Sequence, residues 1–84
     1  AFGVAKPDPR IFLEACRLLG VAPQEAVYVG DDLLLDVQGA QRAGLRAVWM
    51  NRIGKVNELP GEVRPDFEVS SLDGLLDWLK REHA

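Results

Sequence analysis

A single cysteine excludes an internal disulfide framework, and the one histidine, His83, one residue from the end, reads as a frayed, solvated side chain rather than a ligand. No apolar run is long enough to span a bilayer, and no signal-peptide pattern opens the chain. Basic residues are not in excess either. Thirteen acids against ten bases give a net charge of −3, so clustered Lys and Arg for nucleic acid or an anionic membrane are lacking. There are no internal repeats and no low-complexity segment. The hydrophobic fraction of 48% argues against wholesale disorder. Eighty-four residues make at most one small domain, whose core buries roughly 60–65% of the unfolded surface. The lone thiol fits a reducing compartment, so a cytoplasmic location is expected.

What the sequence does hold is concentrated in Val27-Tyr28-Val29-Gly30-Asp31-Asp32-Leu33-Leu34-Leu35-Asp36. A short run of strand formers stops at Gly30, and three carboxylates follow. In an open α/β sheet, ligands bind beyond the carboxyl ends of the strands. Carboxylates there suit Mg²⁺, which is held by one or two protein acids together with phosphate and water. Gly-Asp-Asp is also ordinary turn and helix-cap chemistry, and the decapeptide alone leaves both readings open.

The flanking pattern predicts an α/β fold. Asp8-Pro9 starts a helix over Pro9–Leu19, with Ile11, Phe12, Ala15, Cys16 and Leu19 on its apolar stripe and Gly20 as its stop. Cys16 reads as a buried structural thiol. Pro23 opens a single helical turn, and Ala26–Val29 reads as a buried strand. Leu34, Val37, Ala40 and Ala43 then keep helical spacing up to Gly44, and Gly39 inside that helix predicts close packing. Leu45–Met50 reads as a second strand, which makes a βαβ unit. Asn51 to Pro65 reads as loop, and Arg52 and Lys55 within it as solvated charges, with contact to a ligand phosphate as the alternative. Phe67–Val69 is a brief edge strand. Ser70 or Ser71 caps a last helix with Leu72, Leu75, Leu76 and Leu79 on one face, beside a packing Trp78.

Two segments read together extend this. Lys6-Pro7-Asp8-Pro9-Arg10-Ile11-Phe12, followed by Gly30-Asp31-Asp32, Asp36, Gly39 and Ala43-Gly44, resembles the haloacid-dehalogenase-like (HAD) hydrolase superfamily. Ala47-Val48-Trp49-Met50-Asn51-Arg52 continues the likeness, which covers nearly the whole chain. The resemblance implies a Rossmann-like parallel sheet with flanking helices. Within it, Lys6 would be the lysine that neutralises the attacking carboxylate and the transferring phosphoryl group. Asp31 would coordinate Mg²⁺, with Asp32 a direct or water-mediated partner. Asp36 would orient the loop or pair with Lys6. The superfamily's Asp-x-Asp nucleophile motif is absent. The 84 residues therefore read as the C-terminal portion of one core domain, without a cap.

The expected activity is that of a Mg²⁺-dependent phosphatase acting on a small phosphomonoester. Its aspartyl-phosphate would form on the absent N-terminal half, leaving this chain inactive alone. The strand before Gly30 would then offer an edge for that half, or for self-association. A 2-haloacid dehalogenase carries small polar residues where Asp31 and Asp32 stand, which favours phosphate chemistry. A non-catalytic subunit or scaffold with cation-binding acids is the alternative of a different class. A receiver-like phosphoacceptor domain would place its acid pair early and its lysine late, the reverse of the order here.

Overall fold

The computed structural model describes residues 8–82. Asp8 opens helix α1 (Pro9–Leu19) as its N-cap, accepting the Arg10 amide at 2.9 Å while the Arg10 guanidinium grips the same carboxylate at 2.7 Å. Gly20, at φ 73°, closes the helix in the left-handed conformation that an L side chain resists. A 3₁₀ turn (Pro23–Glu25) leads to β1 (Val27–Gly30). A π-helical segment (Leu33–Gln38) then runs directly into α2 (Gly39–Arg42), followed by β2 (Arg46–Met50), β3 (Phe67–Val69) and α3 (Leu72–Glu82).

The three strands are parallel and lie in the order β1-β2-β3, with Val27 opposite Arg46, Gly30 opposite Trp49 and Val48 opposite Phe67. Side chains alternate across the sheet, as strand geometry requires. On one face Ala47 and Trp49 join Phe12, Cys16, Val37 and Ala40 in a buried cluster. On the other, Val48 and Val69 pack with Trp78 of α3. Apolar cover on both faces is complete only at β2, where Ala47, Val48 and Trp49 are buried; β1, read from sequence as buried, is half-buried along its length because it lies at the edge of the described sheet. Phe12 meets Tyr28 edge-on, ring centroids 5.0 Å apart, which docks the first turns of α1 on β1. Cys16 is buried without a disulfide partner. Among the described residues, no helix is long and apolar enough to cross a membrane.

Three apolar stripes differ from the pattern expected. Leu19 is 76% exposed and Ala15 is exposed too, because α1 packs on a narrow line through Phe12 and Cys16, its buried residues. Leu72 and Leu76 face outward on α3, since Trp78, its bulkiest apolar side chain, takes the core position with Leu75 and Leu79 beside it. Leu34 is exposed because the wider π winding brings Leu33 and Val37 inward instead. That winding was not expected. It shows in the Asp32 carbonyl, which accepts both the Asp36 and the Val37 amides. Single π turns inside helices are frequent at functional sites.

Candidate functional site

β1 ends at the carboxyl edge of the sheet with Gly30, and the need for glycine there is steric. A Cβ on Gly30 would fall on the Cβ and carboxyl group of Asp36. The buried Asp36 side chain folds back over the strand tip, where its Oδ2 accepts the amides of Asp31 and Asp32 at 3.1 and 3.2 Å. The acid five residues beyond Asp31 thus ties down the turn that carries the other two.

Asp32 has a different task. Its Oδ1 accepts the Leu34 and Leu35 amides at 2.9 and 2.8 Å, which makes it the N-cap of the π-helical segment. Asp31 is held through its backbone on both sides. Its amide goes to Asp36, and its carbonyl accepts the indole N–H of buried Trp49 at 3.0 Å. The Asp31 carboxylate itself takes no hydrogen bond or ion pair from the described residues. Three acids that look alike in sequence are therefore one anchor, one cap and one exposed ligand-type group.

Sequence reasoning missed Trp49, which read only as a strand residue. The signal was its register, directly across from Gly30. Asn51 was missed as well. Only 4% exposed, it donates from Nδ2 to the Lys55 carbonyl and to Glu68 Oε2, both at 2.8 Å, and accepts the Lys55 amide at 2.9 Å. A polar residue immediately after a buried strand was the available clue. These bonds fix the 51–55 turn beside the acids. Asp31, Asp36, Met50, Arg52, Ile53 and Lys55 line one cleft of about 590 Å³ above the strand tips. Lys6 lies outside the described residues, as does His83.

Among the described residues, no three His, Cys, Asp or Glu side chains converge into a self-sufficient metal site. The donor set is nonetheless right for a hard cation. It is all oxygen, centred on one rigidly based carboxylate with a second acid adjacent, and Mg²⁺ ordinarily completes such a set with water and phosphate oxygens.

The HAD-hydrolase-like family model matches residues 3–75. A glyceraldehyde 3-phosphate phosphatase from Methanopyrus kandleri is 50% identical over 78 residues, covering 89% of this chain and 33% of that protein. The structure of a 2-haloacid dehalogenase from Pseudomonas syringae pv. tomato superposes with a TM-score of 0.87 at 44% identity, over 95% of this chain and 34% of that one. A HAD-hydrolase from Bacillus subtilis bound to magnesium gives 0.81 at 32% identity, over 92% and 33%. The chain spans about a third of the length of the curated relatives it matches.

Proposed function

Because the chain belongs to the HAD-like hydrolase family, we propose that it forms the cation-holding, phosphate-facing part of a Mg²⁺-dependent phosphatase acting on a small phosphomonoester. One observation carries this reading. The Asp31 carboxylate stands at the tip of β1 without a partner among the described residues, while Asp36 and Trp49 fix its backbone from opposite sides. Binding a cation then needs little reordering of the group that binds it. Asp31 is the direct ligand, and Asp32 adds a second oxygen alongside its capping bonds. Asp36 keeps both in place, as partners behind metal ligands commonly do. When bound, the cation supplies positive charge against the phosphoryl oxygens.

Lys6, which lies outside the described residues, would neutralise charge on the same phosphoryl group, as a point charge on a flexible stem suits it. In support, the Asp8 cap starts α1 just beyond Lys6, and the Phe12–Tyr28 contact docks that helix on β1. The attacking carboxylate of an aspartyl-phosphate mechanism has no Asp-x-Asp to come from in these residues. It belongs to further polypeptide, whose strand would pair with β1, an edge strand among the described residues. Residues 1–84 are on this reading one portion of a single core domain, and the lone buried thiol suits a cytoplasmic enzyme.

The test is a Mg²⁺ titration of the chain followed by ¹⁵N NMR. Saturable shifts at the Gly30, Asp31 and Asp32 amides are expected, and Asp31→Asn should weaken them at least tenfold without unfolding. Shifts that are absent, or unchanged in Asp31→Asn, would overturn the proposal. The structural likeness to a haloacid dehalogenase favours dehalogenase chemistry as the second reading. Turnover that survives EDTA in the complete enzyme would select it.

A further inference from the structure

The charges around the cleft are divided between its two sides. Asp31 and Asp36 stand on the β1 side, and Arg52 and Lys55 stand on the turn after β2, with Met50 and Ile53 also in the lining. Arg10, Arg17 and Arg46 are partnered by Asp8, Glu14 and Glu82, whereas the exposed Arg42, Lys80 and Arg81 have no partner among the described residues. What sets Arg52 and Lys55 apart is their place in the cleft that Asp31 also lines. Among the described residues, neither head group has a hydrogen-bond or ion-pair partner, although Asp31 lines the same cleft. Lys55 also lines the adjoining hollow that holds Asp31 and Asp32.

Nor is their turn a loose loop. Asn51, buried and bonded to Glu68 of β3, closes the turn on both the amide and the carbonyl of Lys55. Gly54, at φ 69°, makes the reversal between Arg52 and Lys55. Two unpaired cations on a braced turn, facing a cleft whose opposite wall is acidic, form a second and oppositely charged subsite. Met50 and Ile53 supply apolar surface for a short carbon skeleton.

Resting on the phosphatase reading above, we infer that Arg52 and Lys55 form a distal subsite for a carboxylate on the substrate. The preferred substrates are then phosphomonoesters that carry a carboxylate at their far end. The phosphoryl group lies toward Asp31 with its cation. The carboxylate accepts hydrogen bonds from the planar Arg52 fork, with the Lys55 ammonium beside it. A phosphate ester without the second anion fills the acid side only and leaves both cations unpartnered.

The experiment compares 3-phosphoglycerate with glycerol 3-phosphate, which lacks the carboxylate. Both are titrated into the Mg²⁺-loaded chain and followed by ¹⁵N NMR at residues 30–32 and 51–55. The expected result is at least fivefold tighter binding of 3-phosphoglycerate, with shifts in both segments. The exposed double variant Arg52→Gln/Lys55→Gln should abolish that preference while Mg²⁺ still saturates the Gly30, Asp31 and Asp32 amides, at equal or tighter affinity now that two like charges are gone. A charge-matched control, Lys80→Gln/Arg81→Gln on α3, should keep the preference and so exclude a general charge effect. Equal binding of the two probes by Mg²⁺-loaded protein would overturn the subsite alone, as would a preference surviving in Arg52→Gln/Lys55→Gln or lost in the control. Failure of Mg²⁺ to bind would overturn the phosphatase reading and this inference together.

Discussion

At the start of β2, Arg46 donates to Glu82 at 2.7 Å and lies 5.7 Å from the centroid of the Trp78 ring, while Asp66 Oδ2 accepts the Ala47 amide at 2.8 Å and the Gln41 side chain at 3.2 Å. At the other end of the same strands, Asp31, Arg52 and Lys55 keep their charged ends clear of any described partner. The inventory of side chains is similar at the two ends, but at one Arg46, Glu82 and Asp66 satisfy each other and the backbone. At the other, Asp36, Asp32, Trp49 and Asn51 satisfy the backbone so that the remaining charges can be presented unpaired. Paired charge staples β2, β3 and α3 together. Unpaired charge on a braced backbone is what a ligand would meet. The contrast separates a residue that holds the fold from one that is held by it.

Four changes probe this contrast, beginning with the largest effect. Gly30→Ala should destabilise the chain by about 1–3 kcal/mol, the usual range for overpacking, and should weaken Mg²⁺ binding as Asp36 is pushed off the Asp31 and Asp32 amides. Urea unfolding with a parallel Mg²⁺ titration measures both, and a variant that keeps wild-type values would mean that Asp36 has room to move aside. Asp66→Ala strands the Ala47 amide, so a loss of about 1–3 kcal/mol is expected. Here Mg²⁺ affinity should hold, and an equal fall in affinity would erase the distinction between the two ends. Trp49→Phe removes the donor to the Asp31 carbonyl. The hydrogen bond itself is worth about 1 kcal/mol, and a several-fold weaker Mg²⁺ titration should accompany its loss. Unaltered affinity would show that Asp36 alone braces the loop.

The smallest effect is acid-dependent and lies in neither end. The Arg10 side chain, aided by the Arg10 amide, holds the Asp8 carboxyl below the usual carboxylate range. Folding therefore favours its ionised form. The contribution is fully present above the ordinary carboxylate pKa and is lost as pH falls through the lowered one. Asp8→Asn should flatten that part of the stability–pH curve without touching Mg²⁺ binding at neutral pH. A curve superimposable on wild type would deny the cap any acid linkage.

Much of the architecture was legible residue by residue. Asp8-Pro9 and Gly20 bound α1 at the residues expected, because capping is a matter of a few adjacent backbone groups. Strand positions came within a residue: Val27–Gly30 where Ala26–Val29 was expected, and Arg46–Met50 where Leu45–Met50 was. The parallel α/β arrangement followed from strand–helix–strand order. Buried stripes were less legible. Leu19, Leu72 and Leu76 have the right spacing but lack a neighbour to pack against among the described residues, and spacing carries no information about what lies opposite.

The order of elements, the helix caps and the gathering of acids after Gly30 were set by short-range rules, which act among residues within one turn of each other. The division of labour among Asp31, Asp32 and Asp36 was not. It depends on the Asp36 side chain folding over Gly30, and on a parallel register that sets Trp49 across from Gly30, 19 residues away along the chain. The same holds for Asn51, whose bond to Glu68 crosses to β3 and turns two loop cations into the wall of a cleft. Contacts of that kind arise only when separate segments pack, so they could be decided by tertiary structure alone.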